Sequence, residues 1–430
     1  MFTISLPPAP LTALWALERA GFPAYIVGGC LRDALMDRTP HDWDVPTAAR
    51  PDQMLEIFRA AGLSTIPTGL QHGTVTVLVD HCPVECTTYR LDGDYTDARH
   101  PDSVRFPDRI ADDLCRRDFT VNAMACRLPV LREMDAAPDG LTVCEDEVEL
   151  LDLHGGRADL AARVLRCVGD PQTRFTEDAL RILRGVRFSV QLGFAVDGET
   201  EQALAATASG LGRISVERIA AELTRMLGCP APSRGLALMS RTGLWSYVLP
   251  EVSLSNHPYF TSENDQYLAA DALPCDHALR LALLLSGLSP EEARAACRRL
   301  KLSNELTDAV SDLVAIASLP LPADEPALRR SMARFGDRFE RGLALFAVCH
   351  SDQREVCEAT LATARVIRAR GDCLALSSLA VDGRDLMDAL GLRGRQVGAT
   401  LHALLDAVLD DPKRNDREAL LALARQMGQD

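Results

Sequence analysis

The sequence predicts an α+β head followed by an all-helical remainder, on three observations. Over roughly the first 150 residues, short β-branched runs alternate with segments of helical periodicity. Beyond about Leu160 strand signals nearly vanish and helix follows helix. Ala, Leu and Arg recur throughout while aromatics make up only 5% of the chain, a composition that favours helix. At 430 residues the chain exceeds one ordinary core, so several domains are expected.

The elements follow in order. Leu11 to Arg19 has apolar residues at helical spacing, Tyr25-Ile26-Val27 is a short strand, and Leu31 to Met36 resumes the helical pattern. Trp43-Asp44-Val45 reads as extended, and Met54 to Ala61 as helix. Val75 to Val79 and Val84 to Tyr89 are strands, with Asp80-His81 near their turn. Between Leu91 and Asp112 periodicity fails, and the polar run Asp92 to Asp102 exceeds the usual connection length, as functional loops do. Breaks fall at Gly228 to Pro232, from Leu249-Pro250 to Pro274, and at Leu319-Pro320-Leu321-Pro322. With the mixed pattern ending near residue 150, the first and last of these breaks give segments 1–150, 151–230, 231–318 and 319–430.

Several classes are excluded. With 47% hydrophobic residues and a mean hydropathy of −0.02 the chain reads as globular and soluble. No apolar run approaches the ~20 residues of a membrane span. Met1 to Pro8 lacks the features of a signal peptide, so a cytoplasmic location is expected. The thirteen cysteines are scattered without a CxxC, as expected of small buried hydrophobes in a reducing compartment. His81, Cys82 and Cys86, with His72 upstream, form the nearest candidate metal cluster, but their spacing better suits two strands and a turn. A net charge of −15 argues against a broad nucleic-acid footprint. It leaves room for a local basic groove, for which the Arg-rich stretch from Arg157 to Arg187 is the candidate.

The chemistry concentrates in a few places. A strand, the pair Gly28-Gly29 and a helix start let backbone amides approach a phosphate, with Arg32 one turn inside. Asp42 and Asp44, at i and i+2 of an extended segment, point to one side, and two such charges favour a cation between them. Metal ions roughly 3.5–4 Å apart at such a site activate an attacking hydroxyl and stabilise a leaving pyrophosphate. Glu85 on a separate strand offers a third carboxylate, as ligand or as general base. Arg117, Asp118 and Asn122, within Asp113 to Ala123, can form a fixed cluster around ribose and phosphate, or a helix N-terminus with surface ion pairs. On a helix Asp178 and Arg181 are i,i+3 neighbours. An Asp accepts from the exocyclic amine of C or A while an Arg donates to the ring nitrogen; G and U would leave both groups mispaired. In an arbitrary sequence the same spacing is an exposed ion pair. Steps of three drift by roughly 60° around a helix. Arg184 and Arg187 would therefore reach phosphate or support the pocket from its side, and Glu217 and Arg218 would buttress the preceding helix.

In this order the segments resemble the class II tRNA nucleotidyltransferases (bacterial CCA-adding enzymes) and the related bacterial poly(A) polymerases. The resemblance rests on Gly28-Gly29 with Arg32-Asp33, Asp42-Trp43-Asp44, Glu85, Arg116 to Ala123, Glu177 to Arg184, and Ser215 to Ile219, about half of the chain. It implies a polymerase-β-like catalytic head over 1–150, a base-recognising neck over 151–230, a body over 231–318 and a tRNA-binding tail over 319–430. It implies Mg²⁺ on Asp42 and Asp44, with Glu85 completing the catalytic set. Gly28, Gly29, Arg32, Arg117, Asp118, Asn122, Asp178, Arg181, Arg184 and Arg187 would bind nucleotide. The implied reaction is template-independent addition of C, C and A to a tRNA 3′ end from CTP and ATP. The Asp94 to Asp102 loop resembles the family's flexible loop, which enables the final A. Leu281 to Leu288 lacks the His-Asp motif of members carrying a phosphohydrolase domain, and the last residues lack a basic arm common in poly(A) polymerases. An A-only or poly(A) enzyme is the alternative within the class; an RNA-binding protein on a retained head and a small-molecule nucleotidyltransferase are those outside it.

Overall fold

The computed structural model describes residues 2–40, 42–67, 69–70, 73–92, 104–252, 259–260 and 262–427. His41, His72 and residues 93–102 of the expected loop lie outside the described residues. The chain forms two compact units: Met1–Met226 with Arg234–Val248, and Leu227–Ser233 with Leu249–Asp430.

The first unit opens with β1 (Thr3–Leu6), α1 (Pro8–Arg19), β2 (Ile26–Val27), α2 (Gly29–Leu35), β3 (Asp44–Thr47), α3 (Pro51–Ala60), β4 (Ser64–Ile66), β5 (Thr74–Val79) and β6 (Cys82–Thr88). The strands β3-β6-β5-β4 form one sheet, in which only β3 and β6 run parallel. Asp80 and His81 close the β5–β6 hairpin with φ of 48° and 67°, the paired left-handed conformation that suits the twist of a two-residue hairpin. Alternation gives the sheet two faces. Val45, Val75, Val77, Val84 and Cys86 point into a core shared with Leu11, Leu14 and Leu17 of α1 and Met54 and Phe58 of α3. The opposite face carries Asp44 and Glu85.

After the short strands β7 (Leu91–Asp92) and β8 (Val104–Arg105) come α4 (Ile110–Cys115), β9 (Met124–Arg127), β10 (Leu141–Cys144) and β11 (Glu149–Asp152). A second sheet, β11-β9-β2, is antiparallel throughout. Buried Glu18 of α1 ties it down, accepting from Arg127 Nε and Nη2 at 2.7 and 2.9 Å and from the Ala24 amide at 3.0 Å. Helices then dominate: α5 (Gly156–Ala162), a β12 (Val164–Leu165) and β13 (Ala195–Val196) bridge, α6 (Pro171–Glu177), α7 (Leu180–Leu192), α8 (Gly198–Ala206), α9 (Val216–Leu227), α10 (Ser233–Arg241) and α11 (Trp245–Val248).

Among its described residues the second unit contains no strand: α12 (Glu263–Ala272), α13 (His277–Leu285), α14 (Pro290–Arg299), α15 (Asn304–Ser318), α16 (Glu325–Phe335), α17 (Arg338–Cys349), α18 (Arg354–Arg370), α19 (Gly383–Leu390), α20 (Arg395–Asp410) and α21 (Arg417–Met427). Helix α12 lies inside the break expected from Leu249 to Pro274; Ser262 caps it, its hydroxyl accepting from the Asp265 amide. One core gathers Met332, Phe335, Phe339, Phe346 and Ile367 from α16, α17 and α18, and another Leu386, Leu404, Val408 and Leu420 from α19, α20 and α21. Arg280 is only 1% exposed and donates to the carbonyls of Leu227, Cys229, Pro230 and Leu273. All thirteen cysteines are free. No described helix is long and apolar enough to cross a membrane.

Candidate active site

The polar face of the four-stranded sheet forms one wall of a cavity of about 620 Å³ within the first unit. Parallel pairing sets Asp44 directly beside Glu85, so both carboxylates rise from the same side of strands about 4.8 Å apart. Asp42 also lines this cavity, but it sits in a bend before β3, not on the strand as the i,i+2 reading had it. Among the described residues nothing donates a hydrogen bond to Asp42 or Glu85. Asp44 leaves 47% of its side chain open to the cavity and is crowded by protein elsewhere. That desolvation raises its pKa above the ordinary carboxylate value, and Arg117, 3.9 Å away, opposes the rise.

The facing wall is the start of α2, with Gly29, Arg32 and Asp33 on the cavity. Gly28 precedes it at φ 72°, ψ −137°, a conformation open essentially to glycine. A Cβ there would lie 3.0 Å from Arg117 Nη1, so the glycine also makes room for that arginine. Arg32 is 3% exposed; Nη1 donates to Asn122 Oδ1 at 2.6 Å and Nε to Asp33 Oδ1 at 2.9 Å. Arg32 therefore lines the cavity with the orientation of its guanidinium already fixed.

Two buried aspartates hold the next layer. Asp113, 1% exposed, accepts from Arg116 through Oδ1 (2.6 Å) and from Arg117 through Oδ2 (3.1 Å). Burial alone would raise its pKa, but Arg117 and Arg116 outweigh it and hold the carboxyl below its usual range. Asp118 receives Arg184 Nε and Nη2 at 2.7 and 2.6 Å, and the Asn122 amide at 3.3 Å. Burial again works against the charge, yet Arg184, Arg181 and Asn122 bring this carboxyl to about 2. The cluster expected near ribose and phosphate thus exists, with Asn122 linking Arg32 to Asp118. Arg116 and Arg117 follow the end of α4, not a helix N-terminus.

The downstream motif departs from its one-helix reading. Asp178 breaks the chain between α6 and α7 with φ −132° and ψ 100°. Its Oδ1 accepts from the Leu180 amide at 3.1 Å, the local competition by which aspartate favours caps over helix interiors. Asp178 and Arg181 are therefore not neighbours on one helical face. Asp178 pairs with Arg218 at 3.3 Å, while Arg181 donates to Glu177 (2.8 Å) and to the Arg174 and Arg116 carbonyls. Arg218 buttresses as expected, through Asp178. Arg187 is 8% exposed and donates to Glu222 Oε2 at 2.6 Å and Gln191 Oε1 at 2.7 Å. Arg32, Arg184 and Arg187 gather on the Phe188 ring at 5.5, 5.1 and 4.1 Å. The candidate basic groove is largely neutralised: Arg157, Arg166, Arg174, Arg181, Arg184 and Arg187 each have a carboxylate partner.

None of Asp178, Arg181, Arg184 and Arg187 lines the cavity, whereas Gln191 does. Gln191, Asp113 and Phe188 were not singled out from sequence. Asp113 had a signal, three and four residues before two arginines, and Gln191 stands four after Arg187. Phe188 had none beyond its apolar character.

Known proteins resemble the chain along its whole length. It matches the Poly A polymerase head domain over residues 24–166, an RNA and SrmB-binding region of polymerase A over 193–255, and tRNA nucleotidyltransferase domain 2 over 276–424. The CCA-adding enzyme of Levilactobacillus brevis is 34% identical over 412 residues, covering 95% of each protein. The chain belongs to the CCA-adding enzyme family. The family's Latilactobacillus sakei member is 35% identical, over 96% of this chain and 97% of that protein. The Bacillus stearothermophilus CCA-adding enzyme in complex with CTP shares the fold with a TM-score of 0.74 at 30% identity, over 99% of this chain and 98% of that one. The Thermotoga maritima CCA-adding enzyme complexed with tRNA, at 19% identity and TM-score 0.62, shares the fold alone.

For a CCA-adding family member the carboxylate face suits a divalent metal. Asp42, Asp44 and Glu85 offer hard oxygen donors on one cavity, and the first and last accept no hydrogen bond from described residues. No group of three such side chains among the described residues closes around a metal by itself.

Proposed function

We propose that this chain adds C, C and A to the 3′ end of tRNA from CTP and ATP, releasing pyrophosphate. The observation that carries the reading is the register of Asp44 against Glu85 on a cavity faced by Gly29 and Arg32, in a chain similar to CCA-adding enzymes over nearly its whole length. Segment 1–150 is the catalytic head, 151–230 the base-recognising neck, 231–318 the body and 319–430 the tail that holds tRNA.

The tRNA 3′ hydroxyl attacks the α-phosphate and the α–β phosphoanhydride breaks, so the electron pair leaves with pyrophosphate. Asp42 and Asp44 would hold Mg²⁺, which would supply charge stabilisation and lower the pKa of a hydroxyl. Glu85 takes the hydroxyl proton as general base or completes the cation's shell. Gly28 and Gly29 let the triphosphate approach the backbone, and Arg32 and Arg117 bind its oxygens. Asp118, Asn122 and Arg184 keep Arg32 aimed. Asp178 and Arg181 read the base edge, exchanging Arg218 and Glu177 for the nucleotide as it enters; Arg187 supports the pocket from behind. The substrates are those of the cytoplasm, where we place the protein.

The test is incorporation on tRNA ending at the discriminator base, with CTP and ATP supplied separately and together. C from CTP alone and a completed CCA from both are expected; A alone, or long A tails, would sink this reading. Asp42→Ala should abolish incorporation, and an unchanged rate would remove the carboxylates from the mechanism.

A further inference from the structure

Gln191 lies on the cavity wall beside the arginine cluster, at the C-terminal end of α7. Its orientation is decided by its neighbour. An arginine only donates hydrogen bonds, so the Gln191 atom 2.7 Å from Arg187 Nη1 is the carbonyl oxygen Oε1. The amide nitrogen therefore carries its two N–H groups on the other side. Arg187 is itself fixed: Nε donates to the buried Glu222 at 2.6 Å, and its Cζ lies 4.1 Å from the centroid of the Phe188 ring, which Phe119 meets edge-on at 5.9 Å. Releasing Arg187 towards a ligand would leave Glu222, only 4% exposed, with the largely exposed Arg225 at 3.7 Å in place of a 2.6 Å charge-assisted hydrogen bond. Arg187 is thus held behind the cavity, while the exposed Gln191 stands in it.

We propose that Gln191 is a further nucleotide-binding residue, its amide Nε2 donating to an oxygen of the sugar–phosphate part of the incoming nucleoside triphosphate, with Arg187 as its positioning residue. This rests on the reading that the cavity holds that nucleotide. The sugar–phosphate part follows from the two substrates: a fixed donor on the cavity wall serves both only through acceptors that C and A nucleotides share, and the one on the base, the ring nitrogen, is already assigned to Arg181, which leaves the sugar and phosphate oxygens.

The experiment is equilibrium binding of CTP and of ATP, with tRNA extension in parallel, for the full-length wild type, Gln191→Ala and Gln191→Glu. Loss of one hydrogen bond weakens CTP and ATP binding equally, by about 3- to 10-fold. Gln191→Glu is the decisive variant, because its carboxylate still accepts from Arg187 but donates nothing and faces the triphosphate. It should bind worse than the alanine variant. A residue that merely braces Arg187 would give the opposite, with Gln191→Glu at wild-type affinity, and the proposal would be overturned. So would a defect confined to CTP or to ATP, the mark of a base contact. The 2′-deoxy form of CTP and CMP separate the two oxygen sources: the alanine defect disappears with the deoxy nucleotide if the acceptor is the 2′ hydroxyl, and with CMP if it belongs to the outer phosphates. Wild-type protein that neither binds CTP nor extends tRNA would instead remove the functional reading. Wild-type extension with unaltered Gln191→Ala binding removes this assignment only.

Discussion

Replacing Asp118 by Asn tests the ion pair that ties the head cluster to α7. The carboxyl sits at about 2 against an ordinary 3.8 and is 7% exposed, so solvent screens it little. At about 1.4 kcal/mol per pKa unit the ionised form contributes about 2 kcal/mol to folding. The substitution removes that contribution without changing shape, and Arg184, with 35% of its side chain exposed, keeps water as a partner. The sign follows from the direction of the shift. A carboxyl lowered on folding stabilises fully above its unfolded pKa, and that stability disappears as pH falls through the folded value. Wild type should therefore exceed Asp118→Asn by about 2 kcal/mol at pH 7, with the gap closing between about pH 4 and pH 2. Trp15, Trp43 and Trp245 all lie in the first unit, so tryptophan fluorescence during urea unfolding follows that unit alone. Equal stabilities at pH 7, or a gap undiminished near pH 2, would refute the reasoning.

Two further substitutions probe the same wall. Gly28→Ala forces a side chain into φ 72° and places a Cβ 3.0 Å from Arg117 Nη1. It should cost about 1–3 kcal/mol in the same fluorescence assay and raise KM for CTP, and an unaffected KM would separate Arg117 from nucleotide binding. Asp113→Asn leaves two guanidinium groups without their common carboxylate, which is 1% exposed. A loss of about 3–5 kcal/mol is expected together with weaker CTP binding by titration; wild-type values for both would mean that Asp113 anchors neither arginine.

Much of the site was legible because its signals are local. The period-2 runs of β5 and β6 and their Asp80-His81 turn are written within fifteen residues, and the acids at 42, 44 and 85 announce a hard cation by their chemistry. The break at Asp178 was not legible, although its cause is local too. The sequence Glu177 to Arg187 has continuous helical character, and only the Asp178 side chain's bond to the Leu180 amide ends one helix and starts the next. Helix α12 was missed for the converse reason, since a polar, proline-flanked stretch lacks a clear apolar stripe.

By itself the sequence determined the change from a mixed head to a helical remainder, the chemistry of the carboxylates and the family resemblance. All three depend on residue type and short-range spacing. Tertiary structure alone decided that Asp44 lies beside Glu85, because strand register joins segments forty residues apart through backbone hydrogen bonds. It also decided which arginines are bound to partners and which face the cavity. Arg32 and Arg187 look alike in sequence and both are buried and paired, yet Arg32, held by Asn122 and Asp33, lines the cavity while Arg187 sits behind it against Glu222 and Phe188. Burial and pairing are properties of the assembled core, and an isolated side chain carries no sign of either.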